Sequence, residues 1–178
     1  MKKQSINMKK SSEKTKTERP SWDEYFINIA IETAKRSSCI KRHVGAVIVK
    51  NKHILATGYN GAPSGISSCY EKDLCMRRER KIEHGKDKDL CLAVHAEANA
   101  LCQAAKIGVP VENSVLYVTT YPCPTCAKLI INSGLKQVNY IFVYYGQQYS
   151  FSKEILTKAK IKTRKVTPSK SIDDKLIR

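Results

Sequence analysis

The sequence predicts an α/β protein: a three-layer α/β/α sandwich around a mixed, roughly five-stranded sheet. Three observations carry this expectation. Apolar residues switch along the chain between helical and strand spacing, and the elements run as one helix, two strands and two helix–strand units. At 178 residues the chain is also long enough to bury its own core.

Ser21 followed by Glu24 has capping-box spacing. YFINIAIETAKR then repeats apolar residues at helical intervals, so a helix over about 22–37 is expected. VGAVIVK (44–50) and HILATGY (53–59) read as a hairpin through Asn51-Lys52. Asn60-Gly61 is a turn signal, and GAPSG continues the loop. Residues 66–90 are polar with little periodicity, and a long loop inside a compact domain is commonly functional. Residues 95–107 read as a helix stopped by Gly108, and SVLYVTT (114–120) as a strand. TCAKLIINSG (125–134) is a helix closed by a glycine, QVNYIFVYY (137–145) is a strand, and a weaker helix follows near 152–160. This divides the chain into a basic arm (1–20), a domain (21–150) with a loop or insertion at 61–91, and a basic extension (151–178).

The formal charge is +16, which raises the question of nucleic acid. Residues 1–20 hold a net +5 and residues 151–178 a net +6, leaving +5 for the 130 residues between. The basicity is therefore mostly terminal. MKKQSINMKKSSEKTKTERP is nearly devoid of apolar residues and reads as a disordered arm, either solvated or set against an acidic partner. No run reaches the roughly 18 apolar residues of a membrane helix, and no charged-then-apolar signal pattern opens the chain. A soluble, cytoplasmic protein is expected. Seven cysteines, an odd number without a secretory signal, favour metal-binding, catalytic or buried thiols over a disulfide framework.

AVHAEANA (93–100) puts His95 and Glu97 two residues apart, about 200° around a helix, so they share no lateral face. Both can reach a point beyond the helix's N-terminal end. YPCPTC (121–126) supplies the counterpart. Cys123-x-x-Cys126 has zinc-clasping spacing, and Pro122 and Pro124 place both thiols at the start of the next helix. Unpaired amides and the positive dipole end there favour thiolate. If both helices aim at one point, His95, Cys123 and Cys126 are three ligands of a catalytic zinc with a position open to water. A lone histidine or lone CxxC is commonly structural. The joint pattern, His-x-Glu and Pro-Cys-x-x-Cys each opening a helix, is the signature of zinc-dependent base deaminases. Glu97 is then the general acid–base, carrying a proton from water to a ring nitrogen and to the departing amine.

HAEANA and PCPTCAKLIINSG, together with RSSCIKRHVGAVIVKNKHILATGYNGAPSG upstream, resemble the deoxycytidylate (dCMP) deaminases of the cytidine deaminase-like superfamily over residues 22–145. The resemblance implies zinc-dependent conversion of dCMP to dUMP and ammonia for thymidylate synthesis. It also implies a homo-oligomer, often a hexamer, with dCTP and dTTP as effectors. Asn60 corresponds to the family position that contacts the substrate sugar, although an Asn-Gly turn needs no such role. A 5′-phosphate needs cationic or amide donors. Arg36, Lys41 and Arg42 are the nearest basic group, and Arg36 is taken as the contact. Cys39, Cys69, Cys75 and Cys91 are the expected ligands of a second, structural zinc, with His84 as a replacement ligand; isolated reduced thiols are the alternative. Cys102 reads as core. Two rivals remain, a tRNA adenosine deaminase and a non-catalytic zinc module binding nucleic acid through the basic termini. GYNGAPSG and the loop cysteines argue against the first, and Glu97 against the second.

Overall fold

β1 (Gly45–Lys50) is buried on both of its faces, which accounts for its unbroken apolar run and sets the architecture. The computed structural model describes residues 19–83, 90–144, 146–168 and 172. The remaining elements are α1 (Trp22–Ala34), β2 (His53–Tyr59), α2 (Met76–Glu79), α3 (Ala96–Lys106), β3 (Val115–Thr120), α4 (Pro124–Asn132), β4 (Gln137–Phe142), α5 (Gln147–Lys158) and β5 (Lys162–Lys165). The five strands form one sheet in the order β2-β1-β3-β4-β5. β1 runs antiparallel to β2 and β3, whereas β3, β4 and β5 are mutually parallel.

The side chains of β1 and β3 alternate between two cores. Val47, Val49 and Tyr117 face Phe26, Ile27, Ala30 and Ile31 of α1. Ala46, Ile48, Leu116 and Val118 face Ala96, Ala100 and Ala104 of α3, Ala127 and Ile130 of α4, and Leu156 of α5. This is the expected α/β/α sandwich, and the sheet is mixed and five-stranded as expected. Two glycines set how closely helices approach. A Cβ on Gly45 would stand 2.0 Å from the Ala30 carbonyl oxygen, and one on Gly58 would stand 2.3 Å from the Ala96 carbonyl oxygen and 2.4 Å from the Ala100 nitrogen. The alanine row of α3, spaced by four residues, is therefore packed against β2 backbone to backbone.

The Ser21–Glu24 capping box is present in both directions. Asn51 and Lys52 both take positive φ, 50° and 66°, which is the two-residue hairpin geometry. α1 ends at Ala34, short of the expected 37, because Ser37 Oγ turns to Asn60, 2.7 Å from its carbonyl oxygen and 2.8 Å from Oδ1. The expected boundary at 150/151 falls inside α5, and β5 completes the sheet. β5 escapes sequence reading because its KTRK residues are all exposed and carry no apolar alternation. Residues 1–18 of the basic arm, and His84, lie outside the described residues.

Candidate active site

The two helices expected to meet end-on do so. His95 is the N-cap of α3 and Cys123 the N-cap of α4, with Pro124 in the first turn. His95 is delivered by a two-hydrogen-bond bridge: Gly61 N–H donates to the Val94 carbonyl at 3.1 Å, and Val94 N–H returns to Gly61 at 2.8 Å. The chain between these residues can thus leave the end of β2 and come back to it. Cys123 follows the end of β3 by three residues, so both helix starts lie at one end of the sheet.

His95 Nδ1 lies 3.3 Å from Cys123 Sγ and 3.4 Å from Cys126 Sγ. Among the described residues these three form the group whose ligand atoms all fall within 4.8 Å of one another. Imidazole and thiolate donors on one tetrahedral zinc stand about 3.5 Å apart, so the donor set and its spacing fit zinc. A three-ligand His/Cys/Cys set is also the catalytic rather than the closed structural kind. The electrostatics agree. The Cys123 thiol is held well below its ordinary range by the hydrogen bond from Cys126, with His95 adding to the effect. That same bond, together with burial, pushes Cys126 up. Glu97, only 4% exposed, sits on the first turn of α3 beside them. Burial raises its carboxyl above the usual range, and the neighbouring His95 works in the opposite direction.

Asn60 is buried, and its carboxamide is engaged within the chain. Oδ1 accepts from Val44 N–H at 2.7 Å, and Nδ2 donates to the Arg42 carbonyl at 2.8 Å. It ties the end of β2 to the segment entering β1 and keeps one amide hydrogen over. Arg36 is exposed just past α1. Cys39, Cys69, Cys75 and Cys91, from four places in the chain, line one cavity of about 20 Å³, but they do not form a group with the close ligand spacing of His95, Cys123 and Cys126. Cys102 is exposed on α3, not in the core, because the helix turns Ala100 and Ala104 inward instead. One residue escaped the sequence reading, and a second was named there only as one of three basic residues near a phosphate. Tyr144 Oη donates to the Pro122 carbonyl at 2.8 Å, bracing the loop that carries Cys123. Arg42 Nη2 donates to Thr120 Oγ1 at 3.3 Å. Neither sits in a recognisable motif; only the tertiary approach gives them a place.

A mixed five-stranded sheet whose strand and loop ends aim two helix starts at one zinc-type donor set defines the zinc-dependent deaminase class. Residues 20–142 match the family model described as the cytidine and deoxycytidylate deaminase zinc-binding region. Deoxycytidylate deaminase of Schizosaccharomyces pombe is 42% identical over 150 residues, which are 84% of this chain and 45% of that one. The chain therefore spans less than half of that relative's length. Deoxycytidylate deaminase of Mycobacterium phage D29 is 42% identical over 127 residues, covering 68% of this chain and 95% of the phage protein. The dCMP deaminase of cyanophage S-TIM5, solved in complex with dCMP and dUMP, superposes with a TM-score of 0.66 at 30% identity, covering 84% of this chain and 99% of that chain. This chain belongs to the cytidine and deoxycytidylate deaminase zinc-binding family, and its cofactor is zinc.

Proposed function

We propose that the protein hydrolyses dCMP to dUMP and ammonia, with His95, Cys123 and Cys126 holding the zinc and Glu97 carrying the proton. The observation that carries this reading is the convergence of His95 Nδ1 and two cysteine sulfurs beside a buried glutamate at two helix starts. When bound, the zinc is a Lewis acid that lowers the pKa of a water toward roughly 7. Glu97 is suited to the rest. A buried carboxyl whose pKa is raised by burial takes up a proton more readily than an exposed one and can hand it on. It accepts the proton of the attacking water and passes it to a ring nitrogen. It then takes the remaining proton from the newly added hydroxyl and delivers it to the amine, which leaves C4 of the cytosine ring as ammonia while that oxygen becomes the carbonyl. Asn60, with its remaining amide hydrogen, is the contact for the sugar hydroxyl.

The substrate class follows from the relatives, which are named for deoxycytidylate and include one solved with dCMP and dUMP. The same reading extends to a homo-oligomer, hexameric in the family pattern, with dCTP and dTTP as effectors and a cytoplasmic site of work. Cys39, Cys69, Cys75 and Cys91, gathered around one cavity, are assigned to a second, structural zinc that fastens the polar loop. Zinc analysis should find two ions per chain; one ion at full catalytic occupancy removes the second site.

The deciding experiment measures ammonia release from dCMP, CMP, deoxycytidine, dCTP and a tRNA anticodon stem-loop. dCMP should give the highest kcat/KM. Preference for the stem-loop would turn the reading to a tRNA adenosine deaminase, and inertness toward all five would point to a non-catalytic module.

A further inference from the structure

Of the basic residues that precede β1, Arg36 and Lys41 are exposed and Arg42 is half-buried. Arg42 is fixed at both ends. Its carbonyl accepts from Asn60 Nδ2, and its Nη2 donates to Thr120 at the end of β3, three residues before Cys123. A guanidinium presents five N–H donors, and Thr120 engages one. Nε is buried and has no hydrogen-bond partner among the described residues. The salt bridges among those residues do not include it.

A buried, unsatisfied donor on a cation is unfavourable in the free protein and is relieved by any group that brings acceptors to it. The nearby acids do not serve. Glu97 and Tyr144 are close enough for their charge to act on Arg42. No hydrogen bond or salt bridge among the described residues, however, joins either of them to the guanidinium. The missing partner is thus an anion that arrives with the substrate.

We propose that Arg42 is the specificity-determining residue that receives the 5′-phosphate of a nucleoside monophosphate and makes the site prefer nucleotide to nucleoside. This rests on the deaminase reading above. Phosphate oxygens match the guanidinium fork in charge and geometry, whereas the hydroxyl of a nucleoside brings no charge. Arg36, expected from sequence to make this contact, shows no hydrogen bond or ion pair of its side chain among the described residues.

The test compares the wild type with R42Q and R42K on paired ligands. kcat/KM is measured for dCMP and deoxycytidine, and calorimetry gives affinities for dUMP and deoxyuridine. R42Q should lose about 10- to 100-fold on dCMP, mainly through KM, and a similar factor in dUMP affinity. The two nucleosides should change far less, so the nucleotide-to-nucleoside ratio collapses. R42K should fall between, because its ammonium keeps the charge without the fork. Equal losses on nucleotide and nucleoside would assign Arg42 to support of Glu97 or of the fold and overturn the proposal, as would an unchanged ratio. Circular dichroism and zinc content identify a variant that does not fold; R42K carries the comparison if R42Q is that variant. Wild-type protein inert toward both dCMP and deoxycytidine would remove the deaminase reading, and the dUMP/deoxyuridine pair would still decide the role of Arg42.

Discussion

Tyr144 shows how a side chain outside the ligand set can govern it. Its hydroxyl holds the Pro122 carbonyl, one residue before Cys123, and lies 3.4 Å from Ser152 Oγ on α5. Tyr144→Phe should keep the fold but loosen the loop, weakening zinc about 10-fold or more in chelator competition; unchanged affinity would show the brace to be idle. His95, Glu97, Cys123 and Cys126 were legible in the sequence because ligand spacing and helix-start chemistry are local. Tyr144 was not, and Arg42 was legible only as one of three basic residues before β1. Their meaning comes from strands that are remote in sequence and adjacent in the sheet. Asn60 was legible as a turn, but not as the tie between β2 and the residues before β1, since its partners Ser37, Arg42 and Val44 lie 16 or more residues away.

The placement of α3 depends on having no side chain at Gly58. Its alanine row rests directly on β2, and Asn99 Nδ2 adds a hydrogen bond to the Tyr59 carbonyl at 2.7 Å. Gly58→Ala should therefore push the helix outward, costing about 1–3 kcal/mol in denaturant unfolding. Because the displaced helix carries His95 and Glu97, zinc content should fall with stability. A stable, fully loaded variant would mean that α3 adjusts without moving its N-terminal end. The elements themselves were readable wherever one face is apolar: α1, the hairpin, β3 and α4 all appear within a few residues of expectation. β5 was hidden because an exposed edge strand of Lys, Thr and Arg is protected by its charges rather than marked by burial.

Taken whole, the molecule is closed by a polar clasp that joins its first helix to the far strands. Asp23 accepts from Tyr117 Oη at 2.8 Å and from Asn139 Nδ2 at 3.4 Å, and it pairs with Arg164 on β5. This gives the C-terminal segment a structural role that its basic composition did not announce. It also bears on alkaline stability. Burial, and then the Asp23 carboxylate, push the Tyr117 phenol up to about 12, and burial does the same to Tyr121. In the unfolded chain these phenols ionise near their ordinary value of about 10. The unfolded state thus releases protons first. The stabilisation is complete below pH 10 and is lost as pH rises toward 12. Denaturant midpoints should drop across that interval, and Tyr117→Phe should flatten part of the drop; a midpoint level through pH 12 would contradict this.

The central claim is the division of labour between three metal-holding side chains and one proton carrier, and zinc content measured alongside dCMP turnover in Glu97→Gln tests it most directly. The variant should bind as much zinc as the wild type while kcat falls by about 10²- to 10⁴-fold. Zinc lost together with activity would make Glu97 a ligand, and turnover preserved at full zinc content would give the proton to another group.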